Sequence, residues 1–68
     1  MTISLTVNGS PVELADGTTV AALVAQRTSA EARVAVARNG DVVPRSSWPT
    51  TELSPGDRLE VLAPTAGG

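Results

Sequence analysis

The sequence predicts one α+β domain, a mixed sheet of four to five strands with one main helix lying across one face. Three observations favour this fold class. Short runs alternate apolar and polar residues, which is typical of half-buried strands. Two Asn-Gly pairs, Asn8-Gly9 and Asn39-Gly40, are strong signals for tight β-hairpin turns. Between these pairs, one apolar run changes its spacing to that of a helix.

The first two strands are predicted to form an antiparallel hairpin around the first Asn-Gly pair. Residues 2–7 alternate, and residues 11–14 alternate again after the turn. Successive side chains of a strand point to opposite faces, so the apolar members share the face toward the core. These inward residues are Ile3, Leu5, Val7, Val12 and Leu14.

The helix is predicted over residues 20–27, where the apolar spacing follows i, i+3, i+4 and i+7. Its inward positions are Val20, Leu23, Val24 and Arg27. Thr19 is the predicted N-cap, because a Thr hydroxyl can accept a hydrogen bond from an unpaired N–H of the first turn. Arg27 in the last turn also suits the negative end of the helix dipole.

The third strand is predicted over residues 33–38, after a loop at 28–31. Val34 and Val36 are its inward residues. The second Asn-Gly turn then leads to a short strand at 41–44, which ends at its proline because proline has no backbone N–H to donate.

The last strand is predicted over residues 58–63, after a turn or a single helical turn at 46–49. Its inward residues are Leu59, Val61 and Ala63, and its outward residues are Arg58, Glu60 and Leu62. This strand is well placed to run parallel to the first and to fill the centre of the sheet. That topology is the β-grasp (ubiquitin-like) arrangement. We therefore predict a β-grasp domain over residues 1–63 and a flexible tail over 64–68.

The composition excludes several classes of function. The 68 residues include no Cys and no His, and all five basic residues are Arg. Disulfides, Cys–His metal sites, a nucleophilic Cys, a Schiff-base Lys and a His general base are therefore absent. The net charge of -2 disfavours nucleic-acid binding, and the seven acidic side chains are expected to be solvated surface charge. Without an apolar run long enough to span a membrane, or a signal peptide in residues 1–7, we expect a cytoplasmic protein that is not an enzyme.

The chain ends in Gly67-Gly68, which offers a main-chain carboxylate as the reactive group. Glycine has no Cβ, so such a tail can enter a narrow cleft in a partner enzyme. The Gly68 carboxylate is ionised at neutral pH and can attack the α-phosphate of ATP. A sulfur nucleophile can displace the resulting adenylate, giving a thioester or a thiocarboxylate.

The whole chain resembles the ThiS family, the sulfur carrier proteins of thiamine biosynthesis. The marks are Val7-Asn8-Gly9, residues 16–23, residues 39–48, residues 53–57 and Ala66-Gly67-Gly68. The Val-Pro-Arg-x-x-Trp element at residues 43–48 is the most specific of them.

The resemblance implies a carrier that is acted on by partner enzymes. Gly68 would be adenylated by a ThiF-like enzyme that uses ATP and converted to a thiocarboxylate, with Gly67 and Ala66 in the tail. The thiocarboxylate would donate sulfur to a ThiG-like thiazole synthase for the thiazole ring of thiamine. The carrier would bind no cofactor itself and would be a monomer when free.

Three side chains are candidates for docking a partner, and each has a plainer alternative. Trp48 is a candidate anchor, since Trp is enriched at interface hot spots, but the favoured interpretation places it over one end of the core. Arg45 would pair with an acidic partner surface, or it would form a weak ion pair at the rim. Leu62, outward beside the tail, would belong to an apolar docking patch, or it is a single exposed leucine.

Other functions stay open at this point. One alternative is a sulfur carrier for another product: the small subunit of molybdopterin synthase, or a carrier that serves cysteine synthesis. A ubiquitin-like modifier would instead join its C-terminus to target lysines, and an interaction module would leave the tail idle. Deletion of Gly68 separates these classes, because only the interaction module would survive it.

Overall fold

The structure, a computed structural model, describes residues 1–27 and 33–62. In chain order its elements are strand β1 Thr2–Val7, strand β2 Ser10–Ala15, helix α1 Val20–Arg27, strand β3 Ala35–Arg38, strand β4 Asp41–Val42, a 3₁₀ helix Arg45–Thr50 and strand β5 Arg58–Leu62. The five strands form one sheet in the order β2-β1-β5-β3-β4. The predicted loop at 28–31 and the inward position of Ala63 lie outside the described residues.

The sheet is mixed because β5 runs parallel to β1 and antiparallel to β3. Its antiparallel hairpin pairs Thr2 with Ala15 at one end and Val7 with Ser10 at the other. The last strand therefore lies in the centre of the sheet, as predicted, and the β-grasp fold is confirmed.

Both Asn-Gly pairs form hairpin turns with two consecutive residues at positive φ. The φ angles are +52° and +83° at Asn8-Gly9, and +53° and +89° at Asn39-Gly40. Two positive φ values define a type I′ turn, whose twist matches the twist of the flanking strands. This geometry fixes the register of both hairpins.

One apolar core lies between the helix and the inner face of the sheet. Its buried residues are Ile3, Leu5, Val7, Leu14, Val20, Leu23, Val24, Val36, Trp48, Leu53 and Leu59, with Val12, Val34 and Val61 partly buried against them. The predicted inward residues of the strands thus all contact the core where the structure describes them. Leu53 was missing from the prediction. It sits between elements, where its N–H donates to the Thr18 carbonyl at 2.9 Å.

Helix α1 has the predicted bounds and the predicted cap. The Thr19 Oγ1 accepts the N–H of Ala22 at 3.2 Å. The inward position of Arg27 was wrong, because its side chain is exposed. A guanidinium stays in water unless a partner compensates its burial, so the apolar stripe ends one turn before the helix does.

The third and fourth strands are shorter than predicted. Strand β3 begins at Ala35 rather than at 33, and β4 covers only two residues. The Val43 N–H still donates to the Val36 carbonyl at 2.8 Å, but the next residue, Pro44, has no N–H and instead caps the 3₁₀ helix. The predicted turn or helical turn at 46–49 is thus a six-residue 3₁₀ helix.

Candidate functional site

The predicted site is the C-terminal tail, which continues from the central strand β5. Its residues Gly68, Gly67 and Ala66 lie outside the described part of the chain, and so does the boundary predicted between 63 and 64. The structure describes the base of the tail. That base is Val61 and Leu62, the last residues of β5.

An exposed apolar patch lies on the outer face of the sheet beside this base. Leu62 is 61% exposed and pairs with Ala35, and Val42 is 76% exposed and pairs with Ala37. Paired residues on adjacent strands share a face, and these four alternate with inward residues of the core. We call Ala35, Ala37, Val42 and Leu62 the outer-face patch; Glu60, which pairs with Ala37, adds one charge to it.

Arg45 and Trp48 form a second unit, on the 3₁₀ helix. Trp48 is buried, and its Nε1–H donates to the Val43 carbonyl at 2.9 Å. The exposed Arg45 holds its guanidinium carbon 5.3 Å from the centre of the indole ring, in the range of a cation–π contact. The structure therefore brings these two together, while Leu62 lies across the sheet from the core that Trp48 enters.

The three predicted docking residues differ in how far their side chains are exposed. Trp48 fills the core, which is the favoured interpretation of the sequence, and leaves little surface for a partner. Leu62 and Arg45 remain accessible. A docking role stays a prediction for all three, and Leu62 is the one that adjoins the tail.

Asp57 is a buried carboxylate, although the sequence predicts that it is a solvated surface charge. Its Oδ2 accepts the Ser54 N–H and the Arg38 Nε–H, both at 2.8 Å, and its Oδ1 accepts from the Asn39 Nδ2 at 3.1 Å. Burial raises the pKa of Asp57, but the hydrogen bonds from Ser54, Asn39 and Arg38, with the Arg38 charge, outweigh it and hold the pKa below 3.8. The expectation of a solvated charge was wrong here because two of the three partners, Arg38 and Asn39, come from a hairpin that is distant in sequence.

The two turn asparagines form hydrogen bonds to β5 at its opposite ends. The Asn39 Oδ1 accepts the Arg58 N–H at 2.9 Å, where β5 begins. The Asn8 Oδ1 accepts the Val61 N–H at 2.9 Å, and its Nδ2 donates to the Val61 carbonyl at 3.1 Å, where β5 ends. The Asn-Gly spacing signals the turns, but only the fold shows that the amides reach a third strand.

The hydrogen bonds of Asp57, Asn8 and Asn39 join separate elements of the fold. Within 1–27 and 33–62, no group of three or more acidic side chains is placed to hold a metal ion. An open cavity of about 360 Å³ is lined by Arg38, Asn39, Asp41, Val43 and Thr51. It lies where β5 begins, at the opposite end from the tail, and its Arg38 and Asn39 are already bonded to Asp57.

Within residues 1–27 and 33–62, no helix has the length and apolar character needed to cross a membrane.

Comparison with known proteins adds three likenesses. A family model described as the ThiS family matches residues 5–68. The crystal structure of a thiamine biosynthesis protein (ThiS) from Geobacter metallireducens superposes with a TM-score of 0.80 at 34% identity, covering 97% of this chain and 100% of that one. A thiazole synthase of Paramagnetospirillum magneticum is 35% identical over 66 residues, 97% of this chain. The chain spans about a fifth of the length of that curated relative, since the match covers 20% of it.

Proposed function

This chain belongs to the ThiS family of sulfur carriers in thiamine biosynthesis, and on that basis we propose that Gly68 is the residue that carries the sulfur. The observation that carries the proposal is the extent of the family match, which runs from residue 5 through the terminal Gly67-Gly68. The sulfur is destined for the thiazole ring. Partner enzymes supply all catalysis, and this chain supplies the carboxylate and the surface by which it is recognised.

The proposed reaction has two steps at the Gly68 carboxylate. One carboxylate oxygen attacks the α-phosphorus of ATP, the bond to the β-phosphate oxygen breaks, and pyrophosphate leaves. A sulfide equivalent then attacks the carbonyl carbon of the acyl adenylate, and AMP leaves with the original carboxylate oxygen. The product is a thiocarboxylate, with one sulfur in place of one oxygen. ATP is bound by the adenylating enzyme, so this chain needs no cofactor of its own.

The composition of the tail supports this role. Residues 64–68 reach about 17 Å when extended, which is enough to enter the active site of another protein. Ala66, Gly67 and Gly68 carry no side chain larger than a methyl group. A partner can therefore close around the backbone alone, and positioning by the partner supplies much of the rate.

Two partners are proposed, a ThiF-like adenylating enzyme and a ThiG-like thiazole synthase. The second is supported by the relative named thiazole synthase, because a segment of it is similar to almost the whole of this chain. We propose that the outer-face patch docks the adenylating enzyme, since Leu62 lies at the base of the tail, and that the exposed Arg45 of the 3₁₀ helix pairs with an acidic group of a partner. We further propose that the free chain is a cytoplasmic monomer.

The experiment that tests this function is an intact-mass measurement on the full chain. The chain is incubated with a ThiF-like enzyme, ATP and a sulfide source, and a chain lacking Gly68 serves as the matched control. We expect a mass gain that corresponds to one oxygen-to-sulfur exchange, present in the full chain and absent in the control. An unchanged mass, with an enzyme that is active on another carrier, would overturn the proposal. Conjugates of high mass would instead indicate a ubiquitin-like modifier.

A further inference from the structure

The end of β5 is held on one side by a side chain rather than by a strand. The backbone pairing of β1 with β5 stops at Val7 and Leu59. The last backbone bond on that side runs from the Asn8 N–H to the Leu59 carbonyl at 2.8 Å. Beyond it the chain turns away at Asn8-Gly9, both residues having positive φ. No backbone from β1 is therefore available for Val61.

The Asn8 amide takes the place of the missing strand. It offers one acceptor and one donor, as a peptide unit does, and uses both on Val61: Oδ1 accepts the N–H at 2.9 Å and Nδ2 donates to the carbonyl at 3.1 Å. On its other side β5 is paired with β3, through Leu62 and Ala35. The strand is thus held from both sides up to its last described residues.

We propose that Asn8 is a positioning residue for the sulfur-carrying C-terminus, an inference that rests on the proposed function of Gly68. By holding Val61 in the sheet, the amide fixes the end of β5, from which the chain continues toward Gly68. Gly68 is seven positions beyond Val61, a span of about 25 Å at full extension. Without the Asn8 amide, the last residue of β5 with hydrogen bonds on both sides is Leu59. The adenylating enzyme must then align the Gly68 carboxylate although the end of β5 is less ordered.

Asn39 provides a matched control for a purely structural role. It occupies the equivalent position of the other type I′ turn, with φ of +53° against +52°. Its amide also bonds to β5, at Arg58, and it bonds to Asp57 as well. Loss of the Asn39 amide should lower the free energy of unfolding at least as much as loss of the Asn8 amide. The Asn39 amide, however, bonds to the end of β5 that lies away from the tail.

The test compares Asn8→Gly with Asn39→Gly in steady-state adenylation by the ThiF-like enzyme. Glycine removes each amide and tolerates the positive φ, so neither variant adds backbone strain. We expect Asn8→Gly to lower kcat about three- to tenfold, with KM changed less than about twofold, since two hydrogen bonds at the strand end are lost while the outer-face patch remains. Asn39→Gly should leave kcat within about twofold. Amide exchange at Val61 should become about tenfold faster in Asn8→Gly only.

The outcomes separate the inference from the function on which it rests. If Asn8→Gly retains the wild-type kcat, or if Asn39→Gly lowers kcat equally, the positioning role is overturned while the carrier function stands. A wild-type chain that is not adenylated overturns both. Should Asn8→Gly fail to fold, Asn8→Asp replaces it, because Asp keeps the acceptor for the Val61 N–H and loses the donor. Its kcat is then expected to fall, and an unchanged value overturns the inference.

Discussion

Asp57 connects the turn before β5 to the hairpin of β3 and β4. Its carboxylate accepts hydrogen bonds from one residue of its own turn, Ser54, and from two residues of that hairpin, Arg38 and Asn39. Residue patterns in a single sequence cannot show such a network, because an isolated Asp in a turn is usually solvated. The described buried polar side-chain atoms all have a partner, so the network is complete as it stands.

Removal of the Asp57 carboxylate should destabilise the domain strongly for its size. We expect Asp57→Ala to lower the free energy of unfolding by about 1.5–3 kcal/mol, the range for hydrogen bonds to charged groups. Asp41, an exposed carboxylate of the same hairpin, provides the control: Asp41→Ala should stay within about 0.5 kcal/mol of the wild type. Urea denaturation followed by circular dichroism measures both, and equal effects would contradict the structural role.

The lowered pKa of Asp57 also predicts how stability depends on pH. Its pKa is lower in the folded chain than the ordinary value of 3.8, so the unfolded chain binds more protons between the two values. The contribution of the carboxylate to stability is therefore fully present above the ordinary pKa and is lost as the pH falls through the folded one. The stability difference between wild type and Asp57→Asn should shrink from pH 6 toward acid. A difference that stays constant would show that the charge does not matter.

Among the elements, the first hairpin and the helix follow most directly from the sequence. Alternation from Ile3 to Leu14 and the Thr19 cap are local signals, and both are seen in the structure. The 3₁₀ helix and the buried Leu53 depend on contacts between distant segments, such as the Val20 N–H with the Thr51 carbonyl at 2.9 Å. The spacing of apolar residues does not report these contacts, which is why the sequence predicted only a turn or a single helical turn at 46–49 and no buried residue at 53.

At the candidate site, too, the sequence predicts one part of the arrangement and only the structure shows the rest. Alternation along the last strand correctly predicts that Leu62 faces outward, but it cannot show that Val42 and two alanines share that face. Their common face follows from the register of β3 with both of its neighbours. The sequence therefore predicts a residue, whereas the structure defines a patch.

A polar substitution in the outer-face patch should weaken docking of the adenylating enzyme. We expect Leu62→Ser to raise KM about tenfold, because burial of a leucine in an interface contributes about 1.5 kcal/mol or more. Stability should change little, since the side chain is exposed in the free chain. Ala15→Ser, an exposed position at the far edge of the sheet, is the control and should keep the wild-type KM. If both variants bind as the wild type does, docking occurs elsewhere on the domain.

In the whole molecule, the sheet has two outer strands, β2 and β4, and a proline lies within the first and shortly after the second. Pro11 lies within β2, and Pro44 follows β4 after one residue. Proline removes an N–H donor and so weakens pairing with a second sheet. This supports the proposal that the free chain is a monomer, which sedimentation equilibrium can test: a dimer at micromolar concentration would contradict it.

The predicted division into a domain at 1–63 and a tail at 64–68 implies that removal of the tail affects sulfur transfer and leaves the stability of the domain unchanged. A chain ending at residue 63 should unfold with a free energy within about 0.5 kcal/mol of the full chain, since residues 64–68 contain no large apolar side chain to bury. The same truncation should abolish the mass gain from sulfur transfer, because it removes the Gly68 carboxylate. A loss of stability above about 1 kcal/mol would mean that the tail packs on the domain, and a partner would then have to displace it before adenylation. Retained stability with lost sulfur transfer would assign the fold to residues 1–63 and the chemistry to the last five.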